Sequence, residues 1–206
     1  FQVRVVLSSY TGRESPRVRS VVVQAIRRAE DPVDDIEGIE ADVAAPQIVT
    51  RALWGARPPK SPYSDQAPVQ ITVHHSSQPT QANFQGASSI RGIQAFHQGP
   101  ERGWSDIGYH FLVAPDGKIY EGRPATAVGA HSPNNTGKIG VCLIGDFENK
   151  ETLTTVQRAG LVNLLAHLAG KYKIATPKIK GHRDFQGTDC PGNHVYEQLP
   201  RSARTS

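Results

Sequence analysis

Short apolar runs and segments of helical period take turns along most of this chain, and that alternation restricts its fold more than any other feature. "VQITVHHSS" is a β-branched run ending in two histidines and reads as a buried strand. "ASSIRGIQAFHQG" follows, with Ile90, Ile93 and Phe96 at helical spacing and Ser88 or Ser89 as its N-cap. "GYHFLVAPDGKIYEG" is strand, Asp-Gly turn and strand, the pattern of a hairpin. "KIGVCLIGDF" is a further apolar strand. "TLTTVQRAGLVNLLAHLAGKYK" is the clearest helix, capped by Thr154, with Val156, Leu161, Leu164, Leu165 and Leu168 along one side. "PKIKGH" closes the series as a last strand. Strands alternating with helices predict an α/β fold, a central mixed β-sheet flanked by helices.

Residues 1–46 have a different texture and are read as an amino-terminal extension and linker ahead of a 47–206 domain. "FQVRVVLSSY" has strand character, a helix follows with Pro16 near its start, and the stretch from Asp31 to Asp42 is an acidic, turn-rich linker. The chain begins with Phe1 and contains no methionine, the pattern of a processed product from which a signal peptide would already be gone. No run approaches the roughly 18 apolar residues of a membrane span. The net charge of +4 is mildly basic and suits an anionic polymer. The cations are scattered, without an interleaved aromatic patch, which argues against nucleic acid. The chain is read as a monomer.

Among eight histidines and two cysteines, three residues combine into a candidate metal site. His74 ends one expected strand, His182 ends another, and Cys190 lies in the loop after it. Two neutral imidazoles and one thiolate suit Zn²⁺ and leave a fourth position for water. Such a set carries one negative charge, so the site stays net positive and can acidify that water. A His-x₇-Cys spacing alone is more often that of a core histidine and an inert buried cysteine. Cys142, inside an apolar strand, reads as a small core residue. A Cys142–Cys190 disulfide and a zinc site exclude each other.

"ITVHHSS", "RGWSDIGYHFLVAPDGKIYEGR", "VGAHSPNNTGKIGVCLIGDF" and "GHRDFQGTDCPG" resemble the zinc-dependent N-acetylmuramoyl-L-alanine amidases, which include the peptidoglycan recognition proteins and the phage T7-type lysozymes. "IVTRALWGARPP" is similar to the entry segment of the recognition proteins, and the likeness runs from about Ile48 to Pro200. It implies the fold of that family, a peptidoglycan or muropeptide substrate, and an extracellular, secreted or periplasmic setting at the cell wall. His74, His182 and Cys190 match the zinc ligands, while His75 should point to the other face of its strand. Tyr109 matches the tyrosine of amidase-active members. Thr188 stands where recognition proteins carry threonine and phage enzymes lysine. His131, Asn135, His97 and Trp104 match groove positions, with one residue fewer between His131 and Asn135 than in the phage enzymes. An arginine in the groove wall is the usual reader of a substrate carboxylate in the family; Arg91 and Arg123 are candidates by position only, and the choice stays open.

The reaction implied is hydrolysis of the amide between N-acetylmuramic acid and L-alanine, with Tyr109 and Thr188 hydrogen bonding to the water or the oxyanion. No glutamate occupies an obvious position for a general base; Glu121 reads as structural and Trp54 as an anchor. His110, His167 and His194 carry no catalytic assignment. The alternative within the fold is a recognition protein that holds peptidoglycan without cutting it. Two further rivals are a Cys190 nucleophile with His182 as base and an intracellular recycling amidase, whose relatives carry an aspartate as third ligand.

Overall fold

A computed structural model describes residues 45–148 and 150–200. All of these belong to the larger of the chain's two compact units, Asp42–Ser206. The strand, helix and acidic linker expected before residue 45 lie outside the described residues.

Six strands form one sheet: β1 (Ile48–Val49), β2 (Gln70–His75), β3 (Phe111–Val113), β4 (Ile119–Glu121), β5 (Lys138–Leu143) and β6 (Ile179–Gly181). Their spatial order is β1-β4-β3-β5-β2-β6. Every neighbouring pair is parallel except the β3–β4 hairpin, so the sheet is mixed. The helices are α1 (Arg51–Trp54), α2 (Ala87–Gln98), α3 (Thr155–Tyr172) and α4 (Asn193–Tyr196).

The two-residue period of the strands divides the core. Ile71 and Val73 of β2, with Ile139, Val141 and Leu143 of β5, pack with Leu161, Leu164, Leu165 and Leu168 of α3. On the opposite face, Leu112 and Cys142 pack with Trp54, Ile90 and Ile107. Trp54 is fully buried and its indole donates to the Glu121 carbonyl at 2.7 Å, the anchoring role expected of it. Glu121 accepts the Arg51 backbone N–H, so it too is structural.

α3 is capped as its sequence predicts, with the Thr154 hydroxyl accepting from Gln157 N and donating to the Pro115 carbonyl. Its phase differs by one residue from the expectation. Val156 is 54% exposed, and Gln157 takes the buried first-turn position. The Gln157 amide donates to the carbonyls of Val113 and Ile144, tying the helix to two strand ends. The hairpin turn meets the helix closely at Gly117. Its φ of 82° favours glycine, and a Cβ there would lie 2.7 Å from the Val156 carbonyl oxygen.

α2 departs further from its apolar pattern. Its buried face is Ile90, Gln94, His97 and Gln98, whereas Ile93 is half-buried and Phe96 is 48% exposed. Gln94 donates to Asp106 and to the Arg57 carbonyl, and Gln98 to the carbonyls of Pro58 and Ser105. The irregular backbone beside this helix needs donors, and the glutamines meet that need better than hydrocarbon. Gly86 is the N-cap, with no side-chain cap bond; the Ser89 hydroxyl instead accepts from Gln85 N.

Candidate metal centre

β2 and β6 are parallel neighbours with Val73 opposite Gly181, so the residues that follow, His74 and His182, emerge together at the same end of the sheet. Their ring centroids are 4.4 Å apart. The chain then loops and returns: Arg183 N donates to the Cys190 carbonyl at 2.9 Å, and the Arg183 guanidinium braces the loop through Glu148 and Asn193. This brings Cys190 Sγ to 3.6 Å from His74 Nδ1.

One ligand atom from each of His74, His182 and Cys190 lies within 4.8 Å of the other two. A tetrahedral zinc with bonds of about 2.05 Å to nitrogen and 2.3 Å to sulfur would hold N and S about 3.6 Å apart, the spacing found between His74 and Cys190. His182 Nε2 is buried without a hydrogen-bond partner among the described residues, so no protein contact holds this ring by that nitrogen. The donor set and its spacing fit a zinc ion.

Electrostatics agree with a site for a cation. Burial, then the neighbouring imidazoles of His131 and His182, push His74 well below the ordinary histidine value, so it is neutral. Burial raises the Cys190 thiol to about 12, against the smaller opposing influences of the His75 N–H and Arg183. Without a cation this sulfur keeps its proton; a metal would have to displace it. A nucleophilic cysteine needs the opposite shift, and the imidazole nitrogen near Sγ is that of His74 and not His182. Both observations weigh against the Cys-His mechanism. Cys142 and Cys190 are not bonded to each other.

The three residues lie in a groove of about 640 Å³ that is also lined by Tyr109, Thr188, His97, Trp104, His131 and Asn135. Tyr109 stands beside the centre, its ring 5.2 Å from that of His74, and enclosure raises its pKa well above the ordinary phenol value. It remains a protonated donor. The Thr188 hydroxyl accepts Cys190 N at 3.3 Å, which places it next to the sulfur while leaving its proton to donate. His97 Nδ1 accepts from Gly108 N, its ring lies 4.7 Å from Trp104, and burial, with Arg102 and Arg123 nearby, lowers its pKa to about 4.

Two of the groove residues have a second role besides lining it. Asn135 Oδ1 accepts from the backbone of both His131 and Ser132, so it shapes its own loop. His131 is 7% exposed and bonds His74 through its ring. His75 points toward the α3 side as expected, accepting Phe147 N, and at the strand end it also reaches the groove. His110 is an internal brace between Gly140 N and the Ala127 carbonyl.

Neither arginine named from the sequence lines the groove. Arg91 donates to the Trp54 carbonyl, and the Arg123 guanidinium is spent on the carbonyls of Asp106, Ile107 and Val128. The groove arginine is Arg102, exposed and stacked 5.5 Å from the ring centres of Phe96 and Trp104. Its place two residues before Trp104 in "ERGW" was the available signal. Among the described residues no carboxylate lines the groove.

Residues 64–193 match a family model described as N-acetylmuramoyl-L-alanine amidase. Peptidoglycan-recognition protein LB of Drosophila melanogaster is 38% identical over 162 residues, 76% of this chain and 69% of that one. Among solved structures, the N-acetylmuramoyl-L-alanine amidase LysC of Clostridium intestinale superposes with a TM-score of 0.64 at 35% identity, covering 75% of this chain and 95% of the other. Peptidoglycan recognition protein-LE, solved in complex with tracheal cytotoxin, a monomeric diaminopimelic acid-type peptidoglycan, gives 0.66 at 34%, covering 74% and 91%.

Proposed function

The chain belongs to the N-acetylmuramoyl-L-alanine amidase family, and from that premise we propose that residues 47–206 hydrolyse the bond between N-acetylmuramic acid and L-alanine, with zinc held by His74, His182 and Cys190. The observation that carries this reading is the convergence of one ligand atom from each of His74, His182 and Cys190 in a groove beside a protonated tyrosine.

A bound zinc supplies Lewis acidity at the scissile carbonyl and brings the pKa of a water toward about 7. The chain's own residues do the rest. The Tyr109 phenol donates to the oxygen on which negative charge develops. The Thr188 hydroxyl holds the attacking water or shares that oxyanion. With no carboxylate among the described residues that line the groove, the group that takes the water's proton is a neutral imidazole. Trp104 and His97 form an apolar wall for the muropeptide, and Arg102 offers its cation to a stem-peptide carboxylate. Such a substrate places the protein outside the cytoplasm, secreted or periplasmic. No helix among the described residues is long and apolar enough to cross a membrane.

The test is release of free stem peptide from purified peptidoglycan, with chelator and after adding back Zn²⁺. Activity lost to the chelator and restored by zinc is the expected result. Retained wall binding with no release under any condition would overturn the enzyme and leave a recognition protein, the second reading that the likeness to recognition proteins supports.

A further inference from the structure

His131 stands behind the candidate metal centre more than on the groove wall. Its ring meets that of His74 edge-on, with centroids 4.9 Å apart at 79°, and its Nδ1 lies 3.0 Å from His74 Nε2. The space it occupies is cut out by two glycines. A Cβ on Gly140 would come within 2.5 Å of the imidazole, and one on Gly129 within 2.6 Å. Its backbone is fixed separately, His131 N donating to Asn135 Oδ1 at 2.7 Å.

We propose that His131 is the positioning residue for His74: it accepts the His74 Nε2–H and so keeps Nδ1 of His74 unprotonated and turned toward the metal. The inference rests on the reading that His74, His182 and Cys190 hold zinc.

The two nitrogens of His74 face different partners, Nδ1 toward Cys190 Sγ and Nε2 toward His131 Nδ1. A neutral imidazole carries a single N–H. For Nδ1 to present a lone pair, the proton must sit on Nε2, and His131 Nδ1 must accept it. The proton of His131 then lies on its own Nε2. That nitrogen is buried and has no hydrogen-bond partner among the described residues. The reverse polarity would aim a proton of His74 at the Cys190 sulfur. Ligand histidines commonly lean on a carboxylate or a carbonyl. A neutral imidazole in that role adds no negative charge, so the ligand set keeps its single one.

The experiment compares the full zinc-loaded chain with His131→Ala and His131→Asn, the second retaining an acceptor near the place of Nδ1. Competition against a chromophoric chelator should show zinc affinity about 10- to 100-fold weaker in the alanine variant and largely recovered in the asparagine variant. In ¹H–¹⁵N spectra the wild-type protein should show a slowly exchanging proton on His74 Nε2. Wild-type zinc affinity in the alanine variant, with KM alone raised, would make His131 an ordinary groove residue and overturn the inference. A proton on His74 Nδ1 would do the same. Should the alanine variant not fold, the wild-type tautomer and the asparagine variant still decide the matter. Wild-type protein that takes up no zinc would instead overturn the underlying metal assignment.

Discussion

The two faces of the central sheet are built on different principles. The α3 face is hydrocarbon: Ile71, Val73, Ile139, Val141 and Leu143 meet four leucines of the helix, and Gln157 is the buried polar side chain that α3 brings to it. The α2 face buries His74, His97, His110, His131, Gln94, Gln98 and Asp106 around a smaller apolar cluster. An apolar face tolerates small displacements, because dispersion and burial vary smoothly with position. The polar face must satisfy each donor and acceptor, which makes it costly but holds side chains in set orientations. Orientation is what a metal centre needs, and the candidate ligands stand at the end of the sheet where the polar face reaches solvent.

The sharpest break in this contrast should come from the ligands. His182→Ala is expected to lose zinc and to lower stem-peptide release by more than about 10³-fold, beyond the loss from removing a single oxyanion donor. The melting temperature of the metal-free protein should change little, because the His182 side chain is half-buried. Unchanged turnover in this variant would remove the metal centre from the mechanism.

Leu164→Ala should do the opposite. Leu164 is fully buried against the sheet, so the variant should lose about 2–5 kcal/mol of stability in denaturant unfolding. Its turnover per folded molecule should match wild type. Tyr109→Phe should lower kcat by about 10²-fold while zinc affinity, read by chelator competition, stays put. A matching loss of zinc would mean that Tyr109 supports the ligands and does not act on the substrate.

Acid should attack the two faces unequally. Burial lowers the His97 pKa from 6.5 to about 4, so between those values the unfolded chain binds a proton that the native protein does not. His97 therefore lowers stability as pH falls through that window, by roughly 2–3 kcal/mol across it, and has no effect above it. His97→Asn, which keeps an acceptor for Gly108 N–H, should flatten the dependence in unfolding experiments between pH 4 and 6.5. An equal slope in the variant would assign the acid sensitivity to other groups, His110 first among them, since burial lowers it to about 4 as well.

Much of this architecture is legible in local pattern. The strands around Ile71, Leu112 and Val141, the Asp116-Gly117 turn and the leucine face of α3 follow from periodicity, capping and turn chemistry, all of which act between near neighbours. Pattern misled where the tertiary environment set the hydrogen-bond demand. Ile93 and Phe96 carry the hydrophobicity of α2, yet Gln94 and Gln98 face inward because carbonyls of the entry segment and Ser105 await donors there. Val156 lost its expected place to Gln157 for the same reason. Arg91 and Arg123, candidates by position only, lie outside the groove lining, which local pattern does not reveal.

The chain's own order of residues determined the α/β alternation, the strand-end positions of His74 and His182 and the identity of three residues able to bind a soft-to-borderline cation. Only the tertiary structure decided that β2 and β6 lie side by side, that Cys190 returns to 3.6 Å from His74, and that His131 rests on Gly140 against Nε2 of His74. The physical reason is range. Propensity and capping act over a few residues, whereas a metal centre joins groups whose separation along the chain, more than a hundred positions between His74 and Cys190, leaves no local trace of their meeting.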